Sequence, residues 1–182
     1  MITEKEQKFL LELARNAIIR YPGNVDIDEN KIPKKLKEKK GIFVTLNLND
    51  ELRGCIGNLL PSDSIYKSVI ENAVNAAYND YRFTEVTKKE IDSLKIEISI
   101  LTEPVKLNFI DSNNLLKKLD KKEGVILKKG QKMATFLPQV WEQINDKEEF
   151  LEHLCMKAGL NGDSWKNGDI EIDTYRVEKF GE

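Results

Sequence analysis

An α+β fold with a mainly antiparallel sheet flanked by helices is the architecture this sequence predicts, and three observations predict it. Two pairs of β-rich runs fold back across turn residues: Ile42–Leu46 with Leu52–Ile56 around Asn49-Asp50, and Val125–Leu127 with Met133–Leu137 around Lys129-Gly130. Ile96, Ile98 and Ile100 alternate with Lys95, Glu97 and Ser99, the pattern of a half-buried strand. The helical stretches do not alternate regularly with the strands, as a parallel sheet would require.

Thr3 and Glu6 form a capping-box pattern ahead of Phe9, Leu10, Leu13, Ala17 and Ile18 at helical spacing, and Tyr21-Pro22-Gly23 ends that helix. Between Lys31 and Lys40 six lysines crowd a segment in which Pro33 suits a first helical turn and Gly41 a C-terminal cap. The lysines fit either a phosphate- or partner-binding patch or a solvated helix end whose dipole they complement. Pro61-Ser62-Asp63 opens a second long helix with Ile65, Val69, Ala73, Ala76 and Ala77 as its buried stripe. Thr87 with Glu90 caps a short helix through Ile91. Leu115, Leu116 and Leu119 mark another helix, and Asp146 with Glu149 starts one carrying Phe150, Leu151, Leu154 and Cys155 to Gly159. A last strand runs from Ile170 to Val177.

At 182 residues, with no linker or repeat, the chain is expected to be one domain around one core. Its 33% charged residues and net charge of −2 describe a heavily charged surface and argue against nucleic acid as a partner. No apolar run is long enough to cross a bilayer. Met1 to Glu6 lacks the basic-then-apolar order of a signal peptide, so cytoplasmic residence is expected. Two distant cysteines in such a chain are expected to be reduced. With His153 the sole histidine, no transition-metal set is expected, and no nucleotide-binding loop or nucleophile elbow is present.

The stretch Leu52-Arg53-Gly54-Cys55-Ile56-Gly57 breaks the rules of the strand it occupies, because Gly54 and Gly57 weaken pairing and leave nothing to pack. Something must approach the backbone there. Alternation puts Leu52, Gly54 and Ile56 on one face and Arg53, Cys55 and Gly57 on the other. Arg53 suits a carboxylate or phosphate ligand, or equally an internal ion pair with Asp80, Glu97 or Glu103. On the ligand reading Arg53→Lys impairs function and leaves folding intact. Cys55 is either a packed small hydrophobe or part of a ligand site, and a candidate nucleophile if Arg53 favours its thiolate.

These six residues resemble the signature of the AMMECR family, known in microbes as AmmeMemoRadiSam system protein A. The resemblance continues through Asp80-Tyr81-Arg82-Phe83, Ile96 to Thr102, Phe136-Leu137-Pro138-Gln139-Val140 and Leu154 to Leu160. Tyr81 stands where the family usually has proline. The resemblance implies a larger and a smaller lobe with a cleft between them, and a pathway shared with a MEMO-type protein and a radical SAM enzyme. The chain lacks the cysteines of an iron–sulfur cluster, so it is not that enzyme itself, and no cofactor of its own is expected.

The expected site is thus Cys55 as candidate catalytic thiol, with Arg53, Gly54, Gly57, Asp80, Arg82, Gln139 and Lys157 binding a small anionic ligand. Asp80 reads as ligand-facing or as a loop staple. Gln139 is placed where Pro138 interrupts a strand, and Lys157 also suits a helix C-terminus. Three functions remain open: a ligand-binding protein, a thiol-dependent enzyme using Cys55, or an interaction module.

Overall fold

A computed structural model describes residues 1–182. In chain order the first elements are α1 (Glu4–Arg20), β1 (Gly41–Leu48), β2 (Glu51–Asn58), α2 (Ile65–Tyr78) and β3 (Leu94–Leu101). The next are β4 (Val105–Lys106), α3 (Ser112–Lys118), β5 (Gly124–Lys129), β6 (Lys132–Phe136), α4 (Val140–Gln143) and α5 (Lys147–Lys157). The chain closes with β7 (Glu171–Tyr175) and β8 (Val177–Gly181). Helices combine with two four-stranded sheets, in the orders β2-β1-β3-β8 and β4-β7-β5-β6, so the fold is α+β.

The single core expected from chain length is instead two. Residues 1–101 with 178–182 form one compact unit, and 102–177 form a second. In the first, Leu10, Leu13, Ala14 and Ile18 of α1 pack with Val69, Ala73 and Ala76 of α2 and with the core faces of β1 and β3. Thr3 and Glu6 form the expected capping box on α1. In the second, Val125, Leu127 and Ile172 pack with Phe150, Leu151 and Leu154 of α5, and Trp141 stacks on Phe150 at 3.5 Å. Asp146 caps α5 by accepting from the Glu148 and Glu149 N–H groups.

Three expectations are corrected. The Lys31–Lys40 segment is two short 3-10 turns, Glu29–Lys31 and Lys34–Lys37, not a helix. Its apolar anchors, Ile32 and Leu36, are too few to fasten a longer helix, and Gly41 starts β1 rather than capping anything. A Cβ at Gly41 would lie 2.4 Å from the Leu59 carbonyl oxygen. The final strand is two strands parted at Arg176, and β8 joins the first sheet. Strict alternation also fails in the first hairpin. Asn49 and Asp50, at φ 53° and 65°, make a tight two-residue turn of left-handed residues. Asn47 pairs with Leu52 and Leu46 with Gly54, which leaves Arg53 as the extra residue of a β-bulge. Leu52 is therefore on the face opposite Gly54.

Gly54 lies against α2, where an added Cβ would come 2.1 Å from the Ala76 carbonyl oxygen. Gly54→Ala is expected to cost about 3 kcal/mol or more, since a helix backbone cannot yield as a side chain can. Gly130→Ala, at φ +58° with nothing within 4 Å of the added Cβ, is expected to cost only about 1 kcal/mol. Chemical denaturation followed by circular dichroism compares the two; equal losses would contradict close packing at Gly54.

Candidate functional site

β2 is an edge strand, so the Cys55 main chain has no neighbouring strand on its outer side. Two side chains take that place. The Cys55 N–H donates to Asp80 Oδ2 at 2.9 Å, and Arg82 Nη2 donates to the Cys55 carbonyl at 2.9 Å. Arg82 grips Asp80 with two prongs, Nε to Oδ1 at 2.9 Å and Nη2 to Oδ2 at 2.7 Å. The ring of contacts closes from N–H to carboxylate to guanidinium to C=O, a side-chain substitute for a paired strand. Asp80 is 4% exposed, and its own C=O accepts from the Phe83 N–H, which sets the turn. Tyr81 points away at 93% exposure, so its departure from proline leaves the clamp intact.

Arg53 crosses to the same loop. Its Nε donates to Glu90 Oε1 at 2.8 Å, its Nη1 to the Thr84 carbonyl at 2.8 Å, and its Nη2 to the Glu85 carbonyl at 3.0 Å. The internal ion pair weighed from sequence is present, with Glu90 as partner in place of Asp80, Glu97 or Glu103. Glu90 also accepts from the Thr87 N–H at 2.7 Å, so the expected capping residue serves two roles. Its position three after Thr87 was legible; its pairing with Arg53 needed the folded loop.

The Cys55 thiol is half-buried, with Sγ 3.3 Å from Thr45 Oγ1 across the strand pair. The close approach expected at the two glycines comes from within the protein: Ala76 at Gly54, and the Phe43 ring at Gly57, where a Cβ would lie 2.3 Å from Cγ. Arg53, Gly54, Cys55, Gly57, Asp80 and Arg82 all belong to the first unit.

Gln139 and Lys157 belong to the second. Gln139 does not sit in an interrupted strand: β6 ends at Phe136, and Gln139 precedes the single turn of α4. Lys157, the last residue of α5, donates to the Thr135 carbonyl at 3.0 Å and lies over the Phe136 ring at 4.9 Å. His153 is exposed, and both cysteines are free thiols. No three His, Cys, Asp or Glu side chains are grouped to hold a metal ion, and no helix is long and apolar enough to cross a membrane.

With that geometry in place, likeness to known proteins decides the family. The AMMECR1 family model matches residues 11–180, which takes in all the stretches that carry the family resemblance, from Leu52 to Leu160. The chain belongs to the AMMECR1 family. Among its relatives, Protein MK0488 of Methanopyrus kandleri is 38% identical, covering 100% of this chain and 90% of that protein. Protein MJ0810 of Methanocaldococcus jannaschii is 36% identical, with 100% and 92% covered. The crystal structure of the uncharacterized protein PH0010 from Pyrococcus horikoshii, 34% identical, superposes with a TM-score of 0.89 over 100% of this chain and 93% of that one. AMMECR1 family membership accounts for the α+β fold and names no reaction.

The Arg82 guanidinium, helped by the Cys55 N–H, holds Asp80 down at about 2, and Arg53 with the Thr87 N–H does the same to Glu90. Both carboxyls are depressed in the folded state, so their stabilisation is present above the unfolded carboxyl pKa and is lost as pH falls from about 4 toward 2. Each is worth on the order of 2 kcal/mol. Asp80→Asn is expected to lower stability at pH 7 and to flatten the decline below pH 4; an acid limb as steep as wild type would refute it. Arg53→Lys is expected to destabilise by about 1–3 kcal/mol, because one ammonium cannot span Glu90 and both carbonyls. Urea denaturation at pH 7 reads it, and an unchanged midpoint would remove Arg53 as the staple of the loop.

Proposed function

We propose that this AMMECR1-family chain is a binding protein that takes a small anionic ligand, or an anionic group of a partner, at the surface around Cys55 and Arg82. The clamp carries this reading. It fixes a half-buried thiol beside an arginine whose side chain is 42% exposed, and the bonds to Asp80 and Cys55 use only Nε and Nη2. Nη1 makes no hydrogen bond within the protein and is the donor this reading assigns to the ligand. Asp80 offsets much of the charge, so the site suits one carboxylate better than a polyphosphate. Arg53 holds the rim through Glu90 and does not itself meet the ligand.

The resemblance to AmmeMemoRadiSam system protein A supports a role beside MEMO-type and radical SAM proteins in one pathway, with the chain acting in the cytoplasm. A thiol-dependent enzyme is the weaker reading. Cys55 Sγ meets a threonine hydroxyl, and the sole histidine lies at position 153 in the other unit. A thiol without a neighbouring base is a poor nucleophile at neutral pH.

Cys55→Ala and Arg82→Lys separate the two. Capture of the MEMO-type and radical SAM proteins, and complementation of a strain lacking this chain, serve as readouts, with a thermal melt to confirm folding. Binding predicts near-normal function for Cys55→Ala and about a tenfold weakening for Arg82→Lys. A folded Cys55→Ala protein with no function would establish the enzyme instead.

A further inference from the structure

A groove of about 350 Å³ lies in the first unit between α1 and residues 24–32, away from the Cys55 clamp in sequence and in lining. Its volume is that of a small-molecule site. Phe9, Leu13, Val25, Ile27 and Ile32 supply apolar wall, with Leu13 and Ile32 each 5% exposed. Against that wall stand three carboxylates, Glu12, Asp26 and Asp28, and one amine, Lys31.

Asp28 is already engaged: it accepts from the Asn30 N–H at 3.1 Å and lies 3.3 Å from Lys31 Nζ. Glu12 and Asp26 pair with no cation of the protein, so the groove keeps a negative bias beside apolar surface. Phe9 also lines the groove, and an aromatic ring is a side chain to which cations are attracted. An anion is repelled by this arrangement. A bare metal ion has no coordination set, because the carboxylates do not group to hold one. The chemistry that satisfies both the wall and the rim is a positive charge on a short hydrophobic body.

We propose that this groove binds a small organic cation, an ammonium carried on an apolar body of roughly ten heavy atoms, as its volume permits. Phenethylamine is the probe. In a nitrogen–proton NMR titration of the full chain, its expected effect is a saturable shift of the amides of Glu12, Asn16 and residues 25–32 at millimolar concentration. The doubly substituted Glu12→Gln, Asp26→Asn protein is expected to bind at least tenfold more weakly. Both carboxylates are exposed and unpaired, so its melting temperature is expected to hold. 3-Phenylpropionate, which has a similar body and the opposite charge, is expected to leave those amides unmoved. Shifts that do not saturate, undiminished binding by the double variant, or equal binding of phenylpropionate would each overturn the proposal. The readout is independent of the Cys55 surface, so its failure would leave the function proposed there untouched.

Discussion

Between Leu46 and Asn47 the register of the first hairpin slips by one residue, and Arg53 has no partner on β1. Counting back from the Asn49-Asp50 turn without that slip would set Cys55 opposite Val44, in the core, and Gly54 opposite Thr45. With it, Cys55 stands opposite Thr45 and Gly54 opposite Leu46, whose side chain is fully buried. A one-residue shift exchanges the two faces of a strand. The extra residue thus turns the thiol outward and brings a glycine under α2, where nothing larger fits. The half-exposed sulfur and the close seating of the helix are one geometric fact.

The loop between α2 and β3 is held to β2 by arginines running in opposite directions. Arg53 leaves the strand to bind Glu90 and two loop carbonyls, and Arg82 leaves the loop to bind the strand through Cys55. Each cation meets a carboxylate with both prongs, so little net charge is left behind. Main-chain groups that a neighbouring strand would have paired are satisfied by side chains, which also discourages a foreign strand from pairing there. In the second unit, Lys157 does similar service for the Thr135 carbonyl of the edge strand β6.

What could be read from the residues was what local chemistry decides. Caps at Thr3 and Asp146, the apolar stripe of α2, the isoleucines of β3 and the Asn49-Asp50 turn follow from periodicity and turn preference, and they stand in the structure, whereas the second hairpin turns one residue later than expected, at Gly130-Gln131, because Lys129 still pairs with Lys132. The family, too, was legible in short motifs spread along the chain. The rest depended on contacts distant in sequence. No local signal announces a bulge at Arg53, and Glu90 satisfies a capping pattern whether or not an arginine arrives from β2. The lysine-rich segment read as helical because Pro33 and Gly41 are good punctuation, but punctuation cannot substitute for a buried face. Ile170 to Val177 read as one strand because apolar alternation says nothing about which sheet a strand will join.

The second unit is one continuous stretch, whereas the first is interrupted by it and regains its residues 178–182 only afterwards. During synthesis from the N-terminus, β3 must wait with one side unpaired while the whole of the second unit is translated, until β8 emerges to cover it. A nascent chain stalled anywhere in residues 102–177 would therefore carry an open, isoleucine-rich sheet edge, a surface on which a foreign strand can pair.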